Sequence, residues 1–553
     1  MAHDLSKDFD DHGYSIYLPA ISGFYTRQIN QVRKNSDFYA EERIPEGLEK
    51  GIDGLDFLKK KDSYYYCKYG LYSAGHAQLD LERAKEEECM IHKRDRETTV
   101  ILGDSGGFQV GKGVIKMDWT NALDPNDPAR EELCGKILNW LENTADWSMT
   151  LDVPAWAATN MSEYTGLSSV EDAMEVTLHN LHYFMKNRTP GKTKFLSVLS
   201  GIDRKNCQDW YDMVKGFSDP NTVEEMGYDR DKTLEGFALA GAHTDDMAVA
   251  LERLLNLRDD GLLEGKDWIH VLGVGRLNWG CHLTSIQRVL RKHYNQNLTV
   301  SYDAASPFVA VAYGQMYNYH SLTSKRFNYL TSKPVDNKRL VGTETPMPFQ
   351  GPIMDRLLTR DICPLTDDHA LVNGQPIYDI TKEEFSELQK IHTDAIWVDE
   401  KLNRLGKPSR TSWDTLSYLL LMSHNVHHHV EAVVQANKLA DMEYERLQPY
   451  WRDYIADKKS ANSNNISPFV PHTILYFRNF VEELFDPATK DPYKLLDEAR
   501  PFVNSLGFGS SRSSGKASVF NEFFEATGDE DQGIEQFADI NDEKITNLEN
   551  DIL

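Results

Sequence analysis

The chain has 553 residues, with 60 Lys and Arg against 86 Asp and Glu, a formal net charge of −26 and an isoelectric point near 5.1. That length holds one large elaborated domain plus another, and that charge argues against a polyanion held by overall attraction. No apolar run is long enough to span a membrane, Met1 to His12 is charged and lacks a secretory core, and six scattered cysteines fit a reducing, cytoplasmic setting.

Residues 1 to about 95 contain Ile16-Tyr17-Leu18-Pro19-Ala20-Ile21-Ser22-Gly23 and the triplet Tyr64-Tyr65-Tyr66, and are expected to supply a barrel's first strands and closing loops. Next comes Val100-Ile101-Leu102-Gly103-Asp104-Ser105-Gly106-Gly107-Phe108-Gln109-Val110, an apolar run that ends in a carboxylate and two glycines. It reads as a buried strand that aims an acid at a pocket, or as a tight strand-to-helix turn with Asp104 as a cap.

The pattern recurs. Trp147 to Pro154, Phe195 to Gly201, Gly236 to Gly241, Ile269 to Gly275 and Leu298 to Asp303 are short, β-compatible runs closed by small, polar or acidic residues. Between them lie helical spacings such as Leu133, Ile137, Trp140 and Leu141, or Met174, Leu178, Leu181 and Met185. Strand and helix alternate, so an α/β fold with a parallel sheet is predicted. Carboxylates at several strand ends favour a (β/α)8 TIM barrel, whose mouth gathers those ends, over an open Rossmann sheet; Gly273-Val274-Gly275 lacks the third glycine of a dinucleotide loop. The barrel is expected over 1–335, a mostly helical appended domain over 336–505 with Ser417 to Met442 as its clearest helix, and a flexible loop with an acidic tail over 506–553.

The ordered set Gly103-Asp104-Ser105-Gly106-Gly107-Phe108-Gln109, Asp152, Ser200-Gly201, Gly236 to Gly241, Leu272-Gly273-Val274-Gly275 and Tyr302-Asp303 resembles the guanine transglycosylases, the queuine and archaeosine tRNA-ribosyltransferase superfamily. Ser423-His424-Asn425-Val426-His427 is similar to that family's C-terminal histidine helix, so the resemblance runs from about 95 to about 440. It implies that Asp303 is the nucleophile of a covalent glycosyl intermediate and Asp104 the acid/base. Asp152 would read the N1–H and exocyclic amine of a guanine-like ring, as a carboxylate facing two N–H donors can. Phe108 would stack on the ring, backbone around Gly201, Phe237 and Ala238 would meet its O6 and C7 side, and Ser105, Ser200 and Gly236 would complete the base site.

Departures from the family pattern point to one branch. Ser200-Gly201 stands where tRNA enzymes carry Gln-Gly, Gly236 to Ala242 where they carry Gly-Gly-Leu-Ala-Val-Gly-Glu, and Ala304 to Phe308 replaces a Pro-Thr-Arg segment. The structural zinc cluster is missing as well: Cys67, Cys89, Cys134, Cys207, Cys281 and Cys363 are far apart, leaving only a mixed site at Cys363, His369 and His424 open. No metal or other cofactor is expected, and His427-His428-His429 reads as a solvated patch. This combination is similar to the phage-type DNA-guanine transglycosylases, which replace guanine in DNA by a 7-deazaguanine such as preQ0 and so protect viral DNA from restriction. The implied partners are DNA, or tRNA in the alternative, and the free 7-deazaguanine base, with no membrane; a homodimer is common among the tRNA relatives.

Lys325-Arg326, Lys338-Arg339, Arg404 to Arg410 and Arg512 to Lys516 are candidate phosphate contacts on an otherwise acidic chain. A nucleosidase-like hydrolase with the same two carboxylates and a non-catalytic nucleic-acid-binding homologue are the competing readings.

Overall fold

The computed structural model describes residues 3–29, 43–74, 79–159, 162–364, 412–452 and 467–506, with short pieces between 370 and 397. Eight parallel strands make one sheet: β1 (Ile16–Pro19), β2 (Tyr69–Ser73), β3 (Val100–Asp104), β4 (Trp147–Met149), β5 (Lys194–Leu199), β6 (Gly236–Leu239), β7 (Trp268–Val271) and β8 (Thr299–Ala304). Each pairs with its neighbour in sequence, and β8 returns to pair with β1, placing Asp303 opposite Leu18. The β1–β2 seam is the thinnest: Ala20 bridges Leu71, and the Ile21 N–H donates to the Leu71 carbonyl at 2.9 Å. The alternation in sequence thus resolves as a TIM-like α/β barrel.

Helices surround the sheet: α1 (Gly107–Gly111), α2 (Pro128–Thr144), α3 (Val170–Asn187), α4 (Arg204–Val214), α5 (Met247–Asp259), α6 (Leu277–His293) and α7 (Ser306–Ala312). Part of the chain's acid is spent on starting them. Asp127, Asp203 and Asp246 each accept a backbone N–H from the first turn of α2, α4 and α5, and Pro128 at the start of α2 has no N–H to satisfy. Both Trp140 of α2 and Trp210 of α4 are fully buried against the sheet.

A hairpin of β9 (Met316–Leu322) and β10 (Phe327–Ser332) follows α7, and then α8 (Thr415–Leu447), a 33-residue helix that contains the expected Ser417 to Met442. It lies along α6, α7 and β1, while α9 (His472–Leu484) packs on α6 and α10 (Pro492–Asn504) on α5. Because barrel and later segments sandwich α8, its histidine run is not solvated, contrary to expectation. His429 is buried with its ring stacked between Tyr17 at 4.1 Å and Tyr329 at 4.4 Å, His427 is buried beside Tyr65, and only His428 is half-open.

Among the described residues no helix is long and apolar enough to cross a membrane. All six cysteines are buried and none is in a disulfide. Lys325, Arg326 and Arg339 are exposed, on the β9–β10 turn and the turn that follows it. His369, Arg404 to Arg410, Gly507 to Lys516 and the acidic tail lie outside the described residues.

One buried acid sits on the outer side of the barrel. Glu88 is fully buried next to the Tyr72 hydroxyl and 3.9 Å from His92 Nε2; burial pushes its carboxyl up to about 7 and the His92 imidazole down to about 4. An acid whose pKa rises on folding stabilises the fold fully below its unfolded value, near 4.5, and loses that contribution as pH climbs through about 7. Glu88→Gln should therefore raise stability at pH 8 by on the order of 1–3 kcal/mol and have little effect at pH 5, as measured by thermal unfolding at both pH values.

Candidate active site

Side chains on a strand alternate between the two faces of the sheet, and paired residues of parallel neighbours share a face. Val198, Ala238, His270 and Ser301 form one rung across β5 to β8. His270 and Ser301 meet there, since His270 Nδ1 lies 2.8 Å from Ser301 Oγ, and this face is the barrel interior. One step towards the strand ends on the same face stands Asp303, 6 % exposed.

Asp303 is held through one oxygen. Its Oδ1 accepts the Gly273 N–H at 2.8 Å and lies 3.2 Å from His270 Nε2, while Ser301 Oγ also accepts the Trp268 indole N–H at 2.7 Å. Sequence reasoning missed His270. The signal was present: His270, Ser301 and Asp303 are polar residues on inward-facing positions of two otherwise apolar strands.

Asp104 ends β3 on the far side of the same mouth. The Ser73 hydroxyl and the Gly106 N–H, at 3.2 Å, hydrogen-bond its carboxylate, but burial raises its pKa, and the nearby Asp303 carboxylate raises it further. Asp152, three residues past the end of β4, is 7 % exposed, and burial together with the Asp104 charge pushes it up to about 7. Asp104 is thus charge-coupled to both of the others, and the structure brings the three acids together at one barrel mouth.

The two glycines of the motif have distinct duties. Gly106 has φ +88°, a left-handed conformation that lets its N–H turn back onto Asp104. At Gly107 the issue is space, because a Cβ there would lie 2.4 Å from Asp152 Oδ1. Glycine at 107 is what permits the Asp152 carboxyl to sit beside the start of α1.

The remaining expected residues divide by position. Phe108 is half-buried at the mouth, its ring 5.7 Å from that of Trp156, with Lys112 Nζ 5.6 Å from the Phe108 centroid. Ser105 is buried and donates its hydroxyl proton to the Thr150 carbonyl at 3.1 Å, tying the β3 loop to the β4 loop. Ser200 and Gly201 follow the end of β5; the Gly201 carbonyl already accepts the Ala242 N–H at 2.9 Å, and a Cβ on Gly201 would meet Cys207. Ala238 faces the interior on the His270 rung. Phe237 shares its register with Ile269 and faces the helical layer, and Gly236 begins β6, about 10 Å of strand away from the mouth.

Nothing in the described residues gathers three or more His, Cys, Asp or Glu side chains in a metal-holding arrangement. His424 Nε2 lies 2.8 Å from the Tyr317 carbonyl and Cys363 Sγ lies 3.4 Å from the Val335 carbonyl, so both expected zinc-site remnants face backbone oxygens. His369, the third member, lies outside the described residues.

No family model matches the sequence, and no curated protein matches it.

Gly107→Ala should displace the Asp152 carboxyl, and its cost should shrink when Asp152 is truncated to alanine. A double-mutant cycle by thermal unfolding should give a coupling above about 0.5 kcal/mol. Gly106→Ala should cost about 1–2 kcal/mol whatever stands at 152, because its penalty is conformational.

Proposed function

We propose that the protein exchanges guanine in DNA for a 7-deazaguanine base such as preQ0, through a covalent link between Asp303 and deoxyribose. The observation that carries this reading is the meeting of three carboxylates with unlike environments at one mouth: Asp303 met by two N–H-bearing partners, and Asp104 and Asp152 pushed towards holding a proton. Carboxylates held in unlike surroundings can divide the labour of nucleophile, acid/base and base recognition.

In the first half of the reaction Asp303 attacks C1′, the bond from C1′ to the base nitrogen breaks with its electron pair going to the departing guanine, and Asp104 supplies the proton that neutralises it. In the second half Asp104 takes the ring N–H proton of the incoming base, whose nitrogen attacks C1′ as the bond to Asp303 breaks. The carboxylate is restored and no net proton is consumed. Asp152 accepts the N1–H and exocyclic amine of each base, with Phe108 against the ring. The target guanine has to leave the helix stack to reach a barrel mouth, so duplex DNA must be opened or the base flipped. The replaced bases would shield the DNA from restriction nucleases, the role the sequence resemblance implies.

Labelled guanine offered with duplex DNA and with tRNA side by side tests the reading. Label should enter DNA; entry into tRNA alone assigns the other polymer, and release of free guanine without exchange assigns a hydrolase. Asp303→Asn should form no covalent adduct on a denaturing gel, and Asp104→Asn should lose exchange by about 10²–10⁴-fold.

The pH dependence has a definite sign. Asp152 must be ionised to accept two N–H donors, and its pKa is raised to about 7, so exchange should rise with pH through that value. Asp152→Asn should lose this rising limb in a pH–rate profile.

A further inference from the structure

A chain of hydrogen bonds rises through the barrel interior and ends on Asp303. Trp268 and His270 lie two apart on β7, Ser301 and Asp303 two apart on β8, and the register sets Ser301 opposite His270. All four side chains face inward and are buried, His270 and Ser301 completely.

The direction of the protons follows from chemistry. The indole of Trp268 only donates, so Ser301 Oγ accepts from it at 2.7 Å and keeps its own proton for another partner. That partner is His270 Nδ1, at 2.8 Å. An ionised carboxylate only accepts, so the proton between His270 and Asp303 rides on Nε2. A neutral imidazole with a bare Nδ1 and a protonated Nε2 satisfies every contact, and each donor in the series points towards Asp303.

Among the described residues, Asp303 Oδ2 makes no hydrogen bond, while Oδ1 takes both the Gly273 N–H and the His270 contact. From this we infer that His270 is a positioning residue: through Nε2–H it pins Oδ1 and leaves Oδ2 to bond with the sugar. The inference rests on the transglycosylase reading and gives His270 a directional effect within it. As C1′ bonds to Oδ2, the carboxylate loses charge; as the bond breaks, charge returns to a group that two N–H donors stabilise. His270 therefore assists release of the sugar to the incoming base more than it assists the initial attack. No bond to His270 forms or breaks.

The test uses the full chain with His270→Phe, which removes the donor and keeps a planar ring, and His270→Gln, whose amide N–H has similar reach. His270→Phe should slow exchange on the order of 10²-fold. The apparent KM for the polymer should fall along with the rate, as slower breakdown of the adduct requires, and the fraction of enzyme trapped as the Asp303 adduct on acid quench should rise. His270→Gln should recover most of the rate. A structural role alone would lower rate and adduct together and would not be rescued by glutamine.

Wild-type exchange in His270→Phe, or equal loss in both variants with native thermal melts, overturns the inference. Imidazole ¹⁵N NMR of the wild-type protein provides an arm that needs no substrate and no variant. A proton on Nε2 supports the chain, and an Nδ1–H tautomer overturns it. If the wild type neither forms an adduct nor exchanges base in either polymer, the transglycosylase reading falls, while the tautomer still decides the His270 geometry.

Discussion

Closure of the sheet is the constraint on which everything else rests. Eight parallel strands joined into a ring have a single end at which all their C-termini emerge, and the two-residue period of a strand fixes which side chains look inward there. Asp104 and Asp303 belong to strands with two others between them, and Asp152 to a loop beyond β4. The strands that lead to Asp104 and Asp152 are paired, and closure of the ring is what carries Asp303 round to them. The ring is secured unequally: β8 and β1 share a four-residue register, whereas β1 and β2 are held by one bridge and one adjoining hydrogen bond.

Within the mouth, burial alone would treat three carboxyl groups alike. They differ because the backbone and neighbouring polar groups reach them unequally. Asp303 receives the amide of Gly273 and the imidazole of His270; Asp104 receives one amide and one hydroxyl but faces another acid; Asp152 sits against Asp104 with little besides its own backbone. Three chemically identical side chains thereby stand in three different hydrogen-bonding and charge environments. The same economy explains the Gly-Gly pair, in which one glycine supplies a backbone angle and the other supplies room.

The sequence disclosed what depends on local pattern. The six runs from Val100 to Asp303 all appear as strands in order, because each combines β-compatible apolar residues with a sharp polar or glycine end. The first two strands were harder to read. Tyr69-Gly70-Leu71-Tyr72-Ser73 carries a glycine where Ile21 and Ile101 press in, which blurs an otherwise apolar run, and the conspicuous tyrosines just before it serve a separate two-residue pair with His3 and Asp4. Of the site, Asp104 and Asp303 were visible because motif and strand end coincide, and Asp152 because its place in the ordered motif set stands out in the loop after β4. His270 was not, since a histidine inside an apolar strand reads as packing until the register supplies Ser301 and Asp303. Gly236 shows the reverse, because a motif resemblance fixes position along the chain but not which end of a strand a residue occupies. The histidine run on α8 misled for a related reason: a helix packed on two sides keeps only a narrow solvent face, which His428 borders and His427 and His429 do not, and coverage is a tertiary property.

The seam between β8 and β1 also bears on how the chain reaches this state. The Tyr17 hydroxyl donates to the carbonyl of Ala304, 287 residues further on, and Lys438 of α8 pairs with Asp8 at 2.8 Å. During synthesis at about 5–20 residues per second, the first strand emerges roughly 15–60 s before its partner exists. For that interval it offers a bare edge of unpaired amides and carbonyls, with apolar side chains beside them. The segment that carries β1 therefore keeps this edge open until β8 has been made, and the ring becomes continuous only after its last strand has left the ribosome.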